Sequence, residues 1–354
     1  MKLKPSRRSP RSLVTVAAFA VAALGASAPQ IALTRPTGVA DSVRLRKLER
    51  RSVFAARDGE SLGRIQDLMA QDGRVYLLDS RQMRIAWFDS MGVRRGAFGR
   101  PGNEAGEMRY PAALMAGRAG ELLVVDAALR RVVRYQTTAD SARPLAGFDV
   151  QLSPSDGCAL SDVIVLSGYK DGSLLHLFAL SDGTKVRSFG SPLRQGGALL
   201  QSTLDGAHLV CSRRIQTIVF ASQLLGTIRA FGLDGTVRWT RILPGFREAS
   251  VRELPTGGVV HESPPDGYDH IVEMFSISDT LVILQTVPLS QERPSADRAS
   301  SIRTVLLSAR TGEVLGEQQD LPRLLGADAR QIYERVPPPQ PSVISHSFAV
   351  MRQP

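Results

Sequence analysis

Five histidines, His176, His208, His261, His270 and His346, are the first candidates for chemistry, because imidazole serves as both metal ligand and general base near neutral pH. They are scattered, and none stands in H-x-H or H-E-x-x-H spacing. His261 and His270 flank Glu262, Asp266 and Asp269, a ligand set only if separated loops fold it together. No P-loop or dinucleotide fingerprint occurs. The expectation is no catalytic residue, no metal and no cofactor. The regular charged feature is a pair written twice, Asp79 with Arg84 and Asp126 with Arg131. It reads as a cross-strand ion pair that sets register and contributes about 0.2–1 kcal/mol. Candidate ligand-binding residues are Arg100, Asn103, Glu107, Arg109 and Tyr110, on a glycine-rich stretch, and Tyr268, in a Pro- and Gly-rich segment.

The elements that must hold these residues are short and repeated. VYLLDSRQMRIAWFD (Val75–Asp89) is followed by LLVVDAALRRVVRYQ (Leu122–Gln136), and Asp79, Arg84 and Phe88 match Asp126, Arg131 and Tyr135 at a constant offset of 47 residues. Each unit is an apolar β-branched run, a polar turn and a second run ending on an aromatic, the pattern of a β-hairpin. A hairpin recurring at this period cannot bury its faces alone, which points to a propeller or solenoid.

The stretch between the copies, GAFGRPGNEAGEMRYPAAL (Gly96–Leu114), resembles the NHL-repeat linker. Phe98, Gly99, Gly102, Gly106, Glu107, Met108 and Pro111 fill its pattern, with Met108 where an aromatic is usual. The resemblance covers Val75–Gln136. It implies an all-β, six-bladed propeller of four-stranded antiparallel blades. It also implies a binding platform, a minority of such propellers being metal-dependent lyases.

Residues 1–28 have the layout of a secretory signal. Lys2, Lys4, Arg7, Arg8 and Arg11 precede the apolar run Leu13–Leu24, and small residues follow, with Ala26 and Ala28 placed for cleavage. The apolar run is short for a membrane span. The full chain carries 44 Lys and Arg against 34 Asp and Glu; without the first 28 residues 39 basic residues remain. That mild excess, with no basic block interleaved with aromatics, argues against a nucleic-acid partner.

After a linker at 29–42, the propeller is expected over 43–354. Val43–Ala56 reads as a closing strand that completes the short last blade. Asp-Gly pairs at Asp72-Gly73, Asp171-Gly172, Asp182-Gly183 and Asp234-Gly235 mark tight turns, for which both central residues are expected at positive φ. Residues 244–269 break the rhythm and read as a hairpin or long loop on one face. If that segment and the linker Arg100–Tyr110 share a face, Arg100, Glu107 and Arg109 would meet Arg247, Glu262 and Tyr268 at one rim. Cys158 and Cys211 each fall on the innermost strand of adjacent blades. A disulfide, if their Cα atoms approach within about 7 Å, and two buried free thiols both remain open.

The expected protein is therefore an exported, monomeric, non-catalytic propeller that binds a protein, peptide or glycan, with no membrane span once its signal is removed. The alternative is a metal-dependent lyase or lactonase with its site at the central channel.

Overall fold

The computed structural model describes residues 42–56, 61–262, 264–290 and 301–353. The signal-like segment, the linker that follows it and most of the polar insert Ser290–Ser300 lie outside the described residues. Strand β1 (Ser42–Phe54) opens the described chain. Blade one is β2 (Ile65–Gln71), β3 (Arg74–Asp79), β4 (Arg84–Asp89) and β5 (Arg94–Phe98). A two-residue parallel pair, β6 (Arg100–Pro101) with β7 (Glu107–Met108), folds the linker back on itself. Blade two is β8 (Pro111–Ala116), β9 (Glu121–Asp126), β10 (Arg131–Thr137) and β11 (Ala142–Asp149). Blade three is β12 (Asp156–Leu160), β13 (Val163–Lys170), β14 (Ser173–Ala179) and β15 (Lys185–Phe189). A short helix, α1 (Ala198–Leu204), leads into blade four: β16 (Ala207–Ser212), β17 (Thr217–Ser222), β18 (Thr227–Gly232) and β19 (Val237–Ile242). The hairpin β20 (Ser250–Glu253) and β21 (Val259–Glu262) precedes blade five: β22 (Tyr268–Ser278), β23 (Leu281–Leu289), β24 (Arg303–Ser308) and β25 (Val314–Gln318). Blade six contributes β26 (Leu324–Ala327), β27 (Gln331–Val336) and β28 (Ser342–Gln353).

Each blade is a four-stranded antiparallel meander, and the sixth is completed by β1, which pairs with β28 from Ser42 opposite Gln353 to Phe54 opposite Val343. The closure expected from Val43–Ala56 is present. Gln318, on the last strand of blade five, fastens it from the side: its Oε1 accepts the Leu45 N–H and its Nε2 donates to the Leu45 carbonyl, both at 2.9 Å.

The core is divided among the seams between blades. Leu78, Ile85, Leu122 and Tyr135 pack between blades one and two. Ala113, Leu123, Ile164 and Phe178 fill the next seam, and Val165, Ile218, Phe220 and Phe231 fill the one after it. Further seams are filled by Val219, Trp239 and Leu284; by Leu45, Ile283 and Ile332; and by Phe54, Phe88 and Tyr333. This explains why the second and third strands are apolar in near-continuous runs: a strand inside a blade meets a neighbouring blade on both faces. At the outer rim three turn glycines admit the preceding blade. A Cβ on Gly183, Gly235 or Gly312 would lie within 2.9 Å of Phe148, Phe189 or Trp239, respectively.

Two expectations about local chemistry change. Asp79 faces Arg84 and Asp126 faces Arg131 in the ladder, but neither couple forms an ion pair among the described residues. The buried Asp79 carboxylate instead accepts the N–H groups of Gly63, Arg64, Arg81 and Gln82 at 2.7–3.2 Å. Asp126 likewise accepts those of Arg109, Tyr110 and Leu129. Each carboxylate thus ties the incoming linker to the turn of its own hairpin, satisfying amides that strand pairing leaves open. The Asp-Gly turns also divide. Asp72-Gly73 and Asp171-Gly172 have positive φ at both residues. At Asp182-Gly183 and Asp234-Gly235 only the glycine does, and the aspartate accepts the N–H of Thr184 or Thr236 while the strand beyond carries a bulge.

Candidate functional site at the central channel

The inner strands β2, β8, β12, β16, β22 and β26 surround a central cavity of about 830 Å³. Charged or ionisable side chains on these strands, or beside them, line it: Asp67, Asp156, His208, His270, Glu273 and Arg323. Strand geometry sets them there, since the edge strand of each blade has one blade face against each neighbour and its backbone edge toward the axis.

These groups also join blade to blade. Asp67 accepts the N–H of Leu114 on blade two at 2.7 Å and that of Leu68 beside it. Asp156 repeats the arrangement two blades on, accepting from Leu209 on blade four and from Gly157, both at 2.7 Å. His208 Nε2 lies 3.2 Å from the Ile271 carbonyl of blade five, so that nitrogen is the one protonated in this contact. Arg323 reaches from blade six to Glu273 at 2.9 Å.

Burial governs their ionisation. It pushes the Asp67 carboxyl up to about 7, against the lowering effect of two backbone N–H bonds and with some help from the Glu273 charge. Asp156 is raised well above the usual carboxylate range, again by burial first and then by Asp67. The His208 and His270 rings are pushed down to about 4, chiefly by burial, with Arg323 adding repulsion to both. The Asp156 side chain keeps 19% of its surface open to the channel, so it is deep but reachable. His208 Nδ1 stands 4.0 Å from Asp156 Oδ2, a spacing that falls short of a hydrogen bond. The buried His270 Nδ1 has no hydrogen-bond partner among the described residues. No three His, Cys, Asp or Glu side chains among the described residues form a set able to hold a metal ion.

The mouth of the channel is partly built by segments outside the blades. The β20–β21 hairpin packs with α1 in a small core of its own, where Leu200, Leu204, Leu225, Ala249 and Val251 are buried. This accessory layer brings His261 to the channel beside Tyr268, ring centroids 5.1 Å apart and nearly perpendicular. Tyr110, 64% exposed, lines the same space from blade two.

The candidate binding residues therefore separate. Tyr110 and Tyr268 line the channel, whereas Arg100, Asn103, Glu107 and Arg109 do not. Glu107 is buried, pairs with Arg100 at 2.6 Å and accepts the Glu104 N–H at 2.8 Å. Those bonds hold its carboxyl below the usual range. Arg131 donates to the carbonyls of Asn103, Glu104 and Glu107, and the Tyr135 hydroxyl to that of Gly106. Of the other rim residues, Arg247 pairs with Asp269 and Glu262 with Arg252, each at 2.9 Å. Cys158 and Cys211 form a disulfide with Cα atoms 5.7 Å apart, joining the inner strands of blades three and four in the channel wall.

Sequence reasoning named His208 and His270 but missed Asp67, Asp156, Glu273 and Arg323. The signal was present in the first strands of four blades, which carry Asp67, Asp156, His208 and Glu273.

No family model and no curated protein matches the chain. Solved structures do. A Bacteroides fragilis protein described as exported aligns with TM-score 0.55 at 10% identity, over 89% of this chain and 98% of its own. A member of the DUF4221 family from Bacteroides vulgatus aligns with TM-score 0.56 at 9% identity, over 88% and 99%. The WD40 repeats of RRP9 align with TM-score 0.50 at 10% identity, over 88% and 99%. At such identities the likeness establishes the propeller fold alone.

Proposed function

We propose that this chain is an exported, monomeric, NHL-type propeller serving as a non-catalytic binding platform, with a protein, peptide or glycan ligand seated at the channel mouth. One observation carries the reading. Two tyrosines and a histidine from three different segments, Tyr110, Tyr268 and His261, line one 830 Å³ polar cavity. Amphipathic aromatics around a concavity that also holds a few polar groups are the usual make-up of a ligand site. Export is supported by the secretory layout of residues 1–28, in which one basic segment, one apolar run and small residues follow in order. The Cys158–Cys211 disulfide fits an oxidising compartment, periplasmic or extracellular. Among the described residues no helix is long and apolar enough to cross a membrane.

The test is binding of the purified protein to glycan and peptide arrays, repeated with a Tyr110→Ser, Tyr268→Ser double variant. The expected result is a loss of at least about tenfold in affinity for the ligands found, equivalent to about 1.4 kcal/mol. Equal binding by the double variant would place the binding face elsewhere.

A second reading, a lyase or lactonase, draws on the perturbed Asp67, Asp156 and His208 in one cavity, since shifted ionisation clusters at catalytic sites. Its metal-dependent form requires a ligand set that the described residues do not assemble. Metal analysis of protein purified without chelator separates the two readings: one tightly held ion per chain would put the enzyme first.

A further inference from the structure

A second hollow, of about 400 Å³, opens beside the channel mouth at the seam of blades six and one. Its walls include Arg64, Arg81, Tyr110, Arg335, Pro338 and Pro341. Arg64, Tyr110 and Arg335 line the main channel as well, so the two spaces share a wall. None of the described residues lining the hollow is acidic.

The arginines are placed by the Asp79 carboxylate, whose four amide partners include those of both Arg64 and Arg81. A residue that anchors two loops through their backbones leaves their side chains unconstrained. The Arg64 and Arg81 guanidiniums are exposed and make no hydrogen bond or ion pair with other described residues. Two guanidiniums on a fixed backbone present forked donors to an oxyanion. Tyr110 adds an exposed ring, and Pro338 and Pro341 add wall without donors. The volume suits one or two sugar rings rather than an extended chain.

We propose that this hollow binds an acidic sugar, with the ring against Tyr110 and the carboxylate or phosphate held by Arg64 and Arg81. The inference rests on the reading of the channel mouth as the binding face, and narrows it to one side and one chemistry.

The test is calorimetric titration of the purified protein with D-glucuronate, D-glucose 6-phosphate, D-glucose and inorganic phosphate. The comparison uses Arg64→Gln with Arg81→Gln, Tyr110→Ser, and Tyr268→Ser, which lies at the mouth but outside this hollow. At least one acidic sugar should bind tenfold more tightly than glucose, and glucuronate against glucose 6-phosphate tells which oxyanion is preferred. The double arginine variant should remove that advantage with an unchanged melting temperature. Tyr110→Ser should weaken the sugar but not inorganic phosphate, and it decides the matter if the arginine variant fails to fold. The proposal is overturned if no acidic sugar binds, if inorganic phosphate binds as tightly as the sugar, or if both the arginine and Tyr110 variants bind like wild type. Loss in Tyr268→Ser alone would overturn this hollow while leaving the mouth as the binding face. Failure of all titrations would overturn the hollow and leave the array experiment to decide the broader reading.

Discussion

Two segments interrupt the regular blades, the linker Arg100–Tyr110 and the insertion Pro244–Asp269, and they bury their apolar residues in different places. In the linker the buried side chains are Glu107 and Met108, while Arg100, Asn103, Glu104, Arg109 and Tyr110 stay exposed. Glu107 is buried against Arg100 and the Glu104 N–H, and Met108 is wholly buried between blades one and two. In the insertion the apolar residues make a separate small core with α1, and His261 and Tyr268 are turned toward the channel. Charge and irregularity are common to both. Both also carry internal ion pairs, Arg100 with Glu107 and Arg247 with Asp269; what separates them is whether their apolar residues join a blade seam or a core of their own.

The contrast can be broken most directly at Met108. Met108→Ala should destabilise the whole propeller by about 2–5 kcal/mol, read as a shift in the urea midpoint at constant slope. A shift within experimental error would mean that the linker is as dispensable as its charges suggest. In the insertion, Val251→Ala should act locally. Amides of β20 and β21 should exchange about tenfold faster, as expected of a small peripheral unit, while the global stability read from the urea midpoint moves by less than about 0.5 kcal/mol. A large global shift would show that the accessory layer belongs to the main cooperative unit. Next, Arg109→Ala and His261→Ala, both at exposed positions, should each alter stability by no more than about 0.5 kcal/mol. Only His261→Ala should weaken binding of the array ligands; the reverse result would exchange the roles of the two segments.

The smallest effect concerns the channel beneath the insertion, in the wild type. Asp67 is raised to about 7 and Asp156 is raised too, so between about pH 4 and 7 the folded state holds their protons more tightly than the unfolded chain does. Their contribution to stability therefore falls as pH rises. His208 and His270, pushed down to about 4, do the opposite: the unfolded chain takes up their protons first, and stability falls as pH drops below about 6.5. The opposing slopes should leave the wild-type urea midpoint nearly flat from about pH 5 to 7. Asp67→Asn should make the protein lose more stability on acidification, and His208→Gln should make it lose less or gain. Identical profiles for the two variants would refute this account of the channel.

Much of the fold was legible because the repeat writes itself into the sequence. The apolar runs around Asp79 and Asp126 mark the hairpins, and Val43–Ala56 fits the vacancy in the last blade. The same residues were harder to interpret chemically. Ladder pairing puts Arg84 opposite Asp79, but the carboxylate meets amides from Gly63 and Arg64, which only the folded linker brings close. Helix α1 has no comparable signal: ALLQSTL is one short amphipathic turn among glycines, and its helical state depends on Leu200 and Leu204 packing under the insertion. The channel set was hidden for a topological reason. Five of the six blades contribute one or two residues each, so no local window displays the whole set, and Asp67 and Arg323 become neighbours of one cavity only when the ring closes.

The pairing of β1 with β28 has a consequence for how the molecule comes into being. Glu49 and Ser347, bonded across that sheet, are 298 residues apart. Five blades can each form from contiguous chain as it emerges, but the sixth sheet must wait for both of its ends. Until they meet, the first and fifth blades each present a bare apolar flank, including Phe88 on one side and Ile283 on the other. Long-range closure of this kind is slow and leaves nascent chains prone to association. The sealing strand is thus a timing device as well as a fastening: the chain circulates as an open arc until its earliest strand is taken up by its latest.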